Sequence, residues 1–134
     1  MATIDDGQCF VCGKDNHSGL QLSFKSSGGK SLSEFVLASQ FQGYRNIIHG
    51  GLVTAILDEA MIYAAMSEGL NPVTAEITVR FKQPLNAGQA ATVEAQLIRK
   101  TDRLIEARSR ITDSISGTLV AEATAKMIPL KKYP

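Results

Sequence analysis

What this sequence has little of narrows its function first. It carries no excess charge of either sign: 14 Lys and Arg stand against 13 Asp and Glu, a formal net charge of +1. A protein whose main partner is nucleic acid needs a broad basic field to neutralise phosphates, and none is available. A local cluster of basic residues would still suffice for a small anionic ligand. No apolar run approaches the length that spans a bilayer. The opening MATIDDGQCF has two acids and no apolar stretch, so it does not read as a signal peptide. The expectation is a cytoplasmic protein with no membrane partner. Cysteine is scarce: only Cys9 and Cys12 occur, and both are expected to stay reduced. Cys9-x2-Cys12 with His17 invites a zinc reading. A structural site wants four ligands, however, and no second CxxC or Cys/His pair follows. A packed N-terminal turn is expected instead, with no metal and no cofactor.

What is present reads as one folded unit over residues 1–134, with 44% hydrophobic and 20% charged residues. No repeat, linker or low-complexity stretch divides it. Residues 20–26 (LQLSFKS) and, less cleanly, 32–38 (LSEFVLA) alternate as strands around the hairpin turn SGGK. FQGYRNII is a loop. Gly50-Gly51 then lead into a helix running to about Ser67, stopped by Gly69 and Pro72. In AEITVRFKQ, Ile77, Val79 and Phe81 share one face, opposite Glu76, Thr78, Arg80 and Lys82. After a Pro84–Gly88 turn come three more alternating strands, ATVEAQLIRK, LIEARSRIT and TLVAEATAKMI. The order is β-β-α-β-β-β-β, and short connections after the helix should make neighbouring strands antiparallel. A lone helix that is apolar nearly all round should be enclosed by a curved sheet. Residues 130–134, with Lys131 and Lys132, form a short tail expected to be mobile.

The helix carries the chemistry. Asp58 and Glu59 lie at its middle among almost wholly apolar residues, where an unpaired charge costs several kcal/mol. Adjacent residues diverge by about 100° around a helix, so the two do not form one paired site. Either could be solvated or bonded to a cation at the rim; one could instead face a cleft. Gly50 at the helix start has no Cβ, so its N–H could meet a ligand oxyanion at the positive end of the helix dipole. An ordinary glycine turn is the alternative. His49, at the helix entrance, could orient a ligand or simply pack, and Thr74 could offer a hydroxyl. Gly50 and Asp58 are roughly 12 Å apart along one helix. A donor and a base must both approach one reacting group to about 3 Å. Two antiparallel copies of the helix can deliver both, so a real site should lie between subunits.

HGGLVTAILDEA, then PVTAEITVRFKQP and the alternating strands after it, resemble the hotdog-fold thioesterases of the PaaI-like type. The opening CFVCGKDNHSGLQLSF resembles one branch of that family. The resemblance runs from Cys9 to about Ile128. It implies an α+β hotdog fold, an antiparallel sheet wrapped round one long helix, assembled as a homodimer or homotetramer. It implies hydrolysis of acyl-CoA thioesters without metal or redox cofactor. By position, the Gly50 N–H polarises the thioester carbonyl. Asp58 from the partner subunit acts as nucleophile or general base, His49 orients the site, and Thr74 holds water. Glu59 competes with Asp58, since other hotdog branches use a glutamate on this helix. Some relatives carry an Asn six residues before the histidine; here that position is Gly43, and Asn46 stands at another offset. Arg80, Lys82, Arg99, Lys100 and Arg103 read as solvated sheet charges, although one or two could bind coenzyme A phosphates. A non-catalytic acyl-CoA-binding hotdog protein is the alternative. A hotdog hydratase or dehydratase is a further one, but the HGG-x5-LDE pattern does not supply its acid/base pair.

Overall fold

A computed structural model describes residues 5–130. Six strands and one long helix build it: β1 (Lys25–Ser27), β2 (Lys30–Phe35), α1 (Gly50–Met66), β3 (Pro72–Phe81), β4 (Ala91–Lys100), β5 (Ile105–Asp113) and β6 (Leu119–Pro129). All strand pairings are antiparallel, in the order β1-β2-β4-β5-β6-β3, and α1 packs against one face of the sheet. The α+β hotdog architecture implied by the resemblance is therefore present. Lys131 and Lys132 of the expected tail lie outside the described residues.

The β1–β2 hairpin closes on Gly28 and Gly29, both at positive φ (+58° and +78°), as a two-residue turn of this hand requires. The first strand is shorter than its alternation suggests. Leu20 and Leu22 are buried in turn, but their amides donate to the Phe10 and Val11 carbonyls at 2.8 Å. Residues 20–24 thus pair locally with the N-terminal segment instead of with β2.

In α1 the buried residues are Val53, Ile56, Leu57, Ala60, Met61, Ala64 and Ala65, a three- and four-residue spacing that puts them on one face. Small residues let this face sit close to the sheet: Ala91, Ala95, Ala107, Ala121, Ala123 and Ala125 are all buried opposite it. Two buried serines reach across the gap. Ser31 Oγ donates to the Ala60 carbonyl at 2.6 Å, and Ser109 Oγ donates to the Leu57 carbonyl at 3.0 Å. The helix is less enclosed than expected. Leu52, Ala55, Asp58, Glu59, Ile62 and Met66 are only half-buried, because the sheet covers one side. The N-terminal segment covers part of the rest, with Phe24 stacked on Tyr63 at 4.6 Å.

Gly69, at φ +80°, ends the helix region and its N–H closes on the Met66 carbonyl. Pro72 then opens β3, a sheet-edge position where a missing N–H is tolerated. Neighbouring strands are antiparallel as expected, but β3 pairs with β6 and not with β4, the next strand in the chain. The link between them is pinned at the entrance of α1, where Ile48 N–H donates to the Leu85 carbonyl at 2.8 Å. It carries the chain across to the other side of the sheet.

Candidate active site

At the start of α1, His49 is the N-cap, and its Nδ1 accepts the Gly51 N–H at 2.9 Å. In the neutral ring the proton then resides on Nε2, directed away from the helix. Gly51 is the glycine that this cap requires. A Cβ there would lie 3.0 Å from His49 Nδ1, whereas one on Gly50 would meet only the Phe81 ring, at 3.6 Å. The Gly50 N–H is exposed and has no acceptor among the described residues. An unpaired donor at a helix N-terminus suits a carbonyl or oxyanion. Gly43 packs beside the same imidazole, its Cβ position 3.4 Å from His49 Cδ2.

Eight residues further along, Asp58 accepts the Thr74 hydroxyl on Oδ1 at 2.6 Å. This contact depends on a register shift in β3 between Thr74 and Glu76. Thr74 and Ile77 are three residues apart, so in a regular strand they would face opposite sides. The bulge at Ala75 turns Thr74 inward, opposite buried Met127, while Ile77 stays inward opposite Ala125. Burial pushes the Asp58 carboxyl above the ordinary carboxylate range, and the Thr74 hydrogen bond only partly opposes it. Among the described residues the ion pairs are Arg99–Glu106, Arg110–Glu94 and Lys126–Glu76, so no cation offsets Asp58.

Glu59 turns the other way. Cys9 Sγ donates to its Oε2 at 3.3 Å, and Cys12 and Tyr63 complete the surroundings. Asp58 and Glu59 therefore serve different neighbourhoods, as their angular divergence requires. His17, the imidazole beside the CxxC in sequence, is exposed and outside this group; Glu59 takes its place. Within one chain Thr74 joins Asp58 and His49 caps the turn that begins at Gly50, but these two groups lie roughly 12 Å apart along the helix. A groove of about 1100 Å³ opens elsewhere, on the outer sheet face, lined by Lys25, Lys30, Arg80, Arg108, Glu94 and Glu122 among others. Of the five basic positions singled out in the sequence, only Arg80 borders it. None of His49, Gly50, Asp58 and Thr74 does.

Sequence reasoning missed the Cys9–Glu59 contact, the bulge and the two buried serines. The contact joins residues 50 apart in the chain, with no local signal. Ser31 and Ser109 stand at inward positions of alternating strands, which was the available clue.

Residues 45–120 match the thioesterase superfamily. The chain belongs to that superfamily. It is 30% identical over 101 residues to the acyl-coenzyme A thioesterase THEM4 of Mus musculus, a match covering 75% of this chain and 44% of the mouse protein. The chain spans less than half the length of the curated relatives it matches. Among solved structures, the E. coli PaaI protein from the phenylacetic acid degradation operon superposes with a TM-score of 0.75 at 24% identity, covering 80% of this chain and 82% of that one. A Streptococcus pneumoniae hypothetical thioesterase with coenzyme A superposes with a TM-score of 0.78 at 18% identity, covering 84% and 88%. These likenesses establish the hotdog thioesterase fold. No helix among the described residues is long and apolar enough to cross a membrane.

Proposed function

We propose that this superfamily member is an acyl-CoA thioesterase acting in the cytoplasm, with its site assembled between two copies of the chain in a homodimer or homotetramer. The observation that carries the reading is the Asp58–Thr74 pair: a half-buried carboxylate with one oxygen held by a hydroxyl and no compensating cation among the described residues. Such an arrangement costs stability, a cost that a functional carboxylate accounts for. The pair lies on the helix side left open by the sheet, near the exposed edge strand β3, where Val73 and Phe81 are exposed apolar side chains. A second copy would cover this edge and bring its own helix start to Asp58. The pneumococcal thioesterase seen with coenzyme A has also been prepared with an aspartate or a threonine replaced by alanine; those positions are 16 residues apart, as Asp58 and Thr74 are.

In the proposed reaction the thioester oxygen sits on the Gly50 N–H at the positive end of α1. As charge develops on that oxygen, the donor binds it more strongly than the ground-state carbonyl. Asp58 of the partner subunit takes a proton from water through its free oxygen, and the water oxygen bonds to the acyl carbon. Collapse of the tetrahedral intermediate breaks the C–S bond; the CoA thiolate leaves and is protonated, giving free acid and CoA. Direct attack by Asp58 through an anhydride uses the same geometry, with water entering at the second step. Thr74 fixes the carboxylate plane, and His49 holds the first turn through the Gly51 N–H. Glu59 is the weaker candidate, since it is turned toward the Cys9 thiol.

A second reading is a protein that binds acyl-CoA without cleaving it. Gly43 favours it, because the position beside His49 offers no side chain where some relatives carry an amide. Release of free CoA thiol from short, medium, long and aromatic acyl-CoAs separates the readings. Turnover that falls on the order of 10²–10⁴-fold in Asp58→Asn, with binding kept and Glu59→Gln far less affected, is the outcome expected of a lost general base. Wild-type binding without turnover across the panel would favour the binding protein.

A further inference from the structure

The N-terminal segment brings two thiols to a carboxylate for which the proposed hydrolysis has no use. Cys9 Sγ, Cys12 Sγ and a Glu59 carboxylate oxygen all lie within 4.8 Å of one another, each on a half-buried residue. The Cys9–Glu59 separation is 3.3 Å. Around a tetrahedral zinc-class ion, with bonds of about 2.3 Å to sulfur and about 2.0–2.2 Å to oxygen, sulfur–sulfur and sulfur–oxygen neighbours stand about 3.5–3.8 Å apart. The three groups need only small adjustments to meet that spacing.

The backbone around them is built tightly. Gly13 N–H donates to the Cys9 carbonyl at 2.8 Å, folding the CxxCG stretch back on itself. A Cβ on Gly13 would lie 2.5 Å from both the Cys9 nitrogen and its carbonyl oxygen. Only glycine fits, and the turn it permits presents both sulfurs to one side of α1. Gly19 is confined in the same way against the Phe10 carbonyl. Glu59 comes from the middle of the helix, so the donors belong to two distant parts of the chain. Tyr63 stands one helical turn beyond Glu59, on the same side of α1. Either this phenol or a water can supply a fourth donor.

We propose that Cys9, Cys12 and Glu59 form a binding site for one zinc-class divalent cation that clasps the N-terminal CxxCG turn to the middle of α1. Binding is acid–base and coordinate chemistry without redox change. Each cysteine gives its proton to solvent and its thiolate lone pair to the ion, and Glu59, relieved of the Cys9 S–H, donates a carboxylate pair. The site sits one residue from Asp58 on a different side of the helix. Its role is to fix helix and segment together, and it takes no part in the hydrolysis.

The experiment is titration of the freshly reduced, metal-free full chain with cobalt(II), followed by competition with zinc(II). The expected result is one cobalt per chain, a thiolate-to-cobalt charge-transfer band in the near ultraviolet, visible bands of tetrahedral strength, and displacement by zinc. Cys9→Ser and Cys12→Ser should each weaken binding at least tenfold, with loss of band intensity. Glu59→Gln should keep the sulfur band but alter the visible bands. His17→Ala should change nothing. Because the wild type is titrated directly, a variant that fails to fold leaves the test intact. Free thiols without a charge-transfer band would overturn the proposal, as would binding undiminished in both cysteine variants. A Cys9–Cys12 disulfide that forms in air while cobalt is ignored under reducing conditions would also overturn it. None of these readouts depends on thioester hydrolysis, so this inference and the functional reading can fail separately.

Discussion

Two residues express the balance between stability and chemistry in opposite ways. Asp58 is held partly out of water with no cation beside it among the described residues, and burial pushes its carboxyl above the ordinary carboxylate value of about 3.9. For an acid raised in this way the folded state disfavours the ionised form. The resulting loss of stability is absent below the unfolded pKa, grows as pH rises through the window up to the folded pKa, and is full above it. Asp58→Asn should therefore melt higher than wild type at neutral pH, with the difference vanishing in acid; melting curves across pH check this. In wild type, kcat/KM should fall on acidification with a limb above the usual carboxylate range, since the base must be ionised. In the proposed reaction Gly50 contributes a backbone N–H, which calls for another substitution. His49 has ψ of +132°, a conformation suited to the residue before proline, and Gly50 is the first helical position, where proline is well accepted. Gly50→Pro removes one N–H while keeping the helix. It should fold with near wild-type stability and lose turnover by about 10²–10³-fold. Gly50→Ala, which has room beside Phe81, should retain most activity.

At the scale of elements, what could be read from the sequence was what repeats locally. The helix was visible from its long apolar run and its glycine and proline stops, and β4, β5 and β6 from alternation, because that alternation follows from burying one face of each strand. The carboxylates' divergence was visible for the same reason, as helix geometry alone separates Asp58 from Glu59. Sheet order was not. That β3 crosses to pair with β6 depends on where the 82–90 link is pinned, a contact between distant segments. Alternation at Leu20–Phe24 was real, but it could not say which backbone those residues pair with. Nor could it reveal the bulge that aims Thr74 at Asp58. The helix–sheet gap yields a test of packing. Ser109→Ala loses one hydrogen bond from hydroxyl to helix carbonyl and should cost about 0.5–1.5 kcal/mol. Ser109→Val also forces volume into an alanine-lined gap and should cost about 1–3 kcal/mol. Urea denaturation of the two variants measures the difference; equal stability would mean that the gap has slack.

On the proposed reading, one chain does not by itself bring the oxyanion donor and the carboxylate to one substrate group. Gly50, whose N–H has no acceptor among the described residues, and Asp58 lie on a single helix, roughly 12 Å apart, with Thr74 reaching Asp58 from β3. The open helix side and the β3 edge adjoin each other, with exposed Val73 and Phe81 beside them. A two-fold partner would satisfy both features together, since an isologous contact gives each copy what it lends to the other. Covering β3 would also remove an unpaired sheet edge.

The most direct measurement of that claim is the rate of CoA release by chains carrying Gly50→Pro mixed with chains carrying Asp58→Asn, on the acyl-CoA that wild type cleaves fastest. Each variant alone should be nearly inactive. In a mixed dimer one site combines both defects, but the other pairs an intact Gly50 with an intact Asp58. Random exchange of subunits should thus restore about one quarter of the wild-type rate. Exchange shown to be complete, with no activity above the two parents, would contradict a site shared between chains.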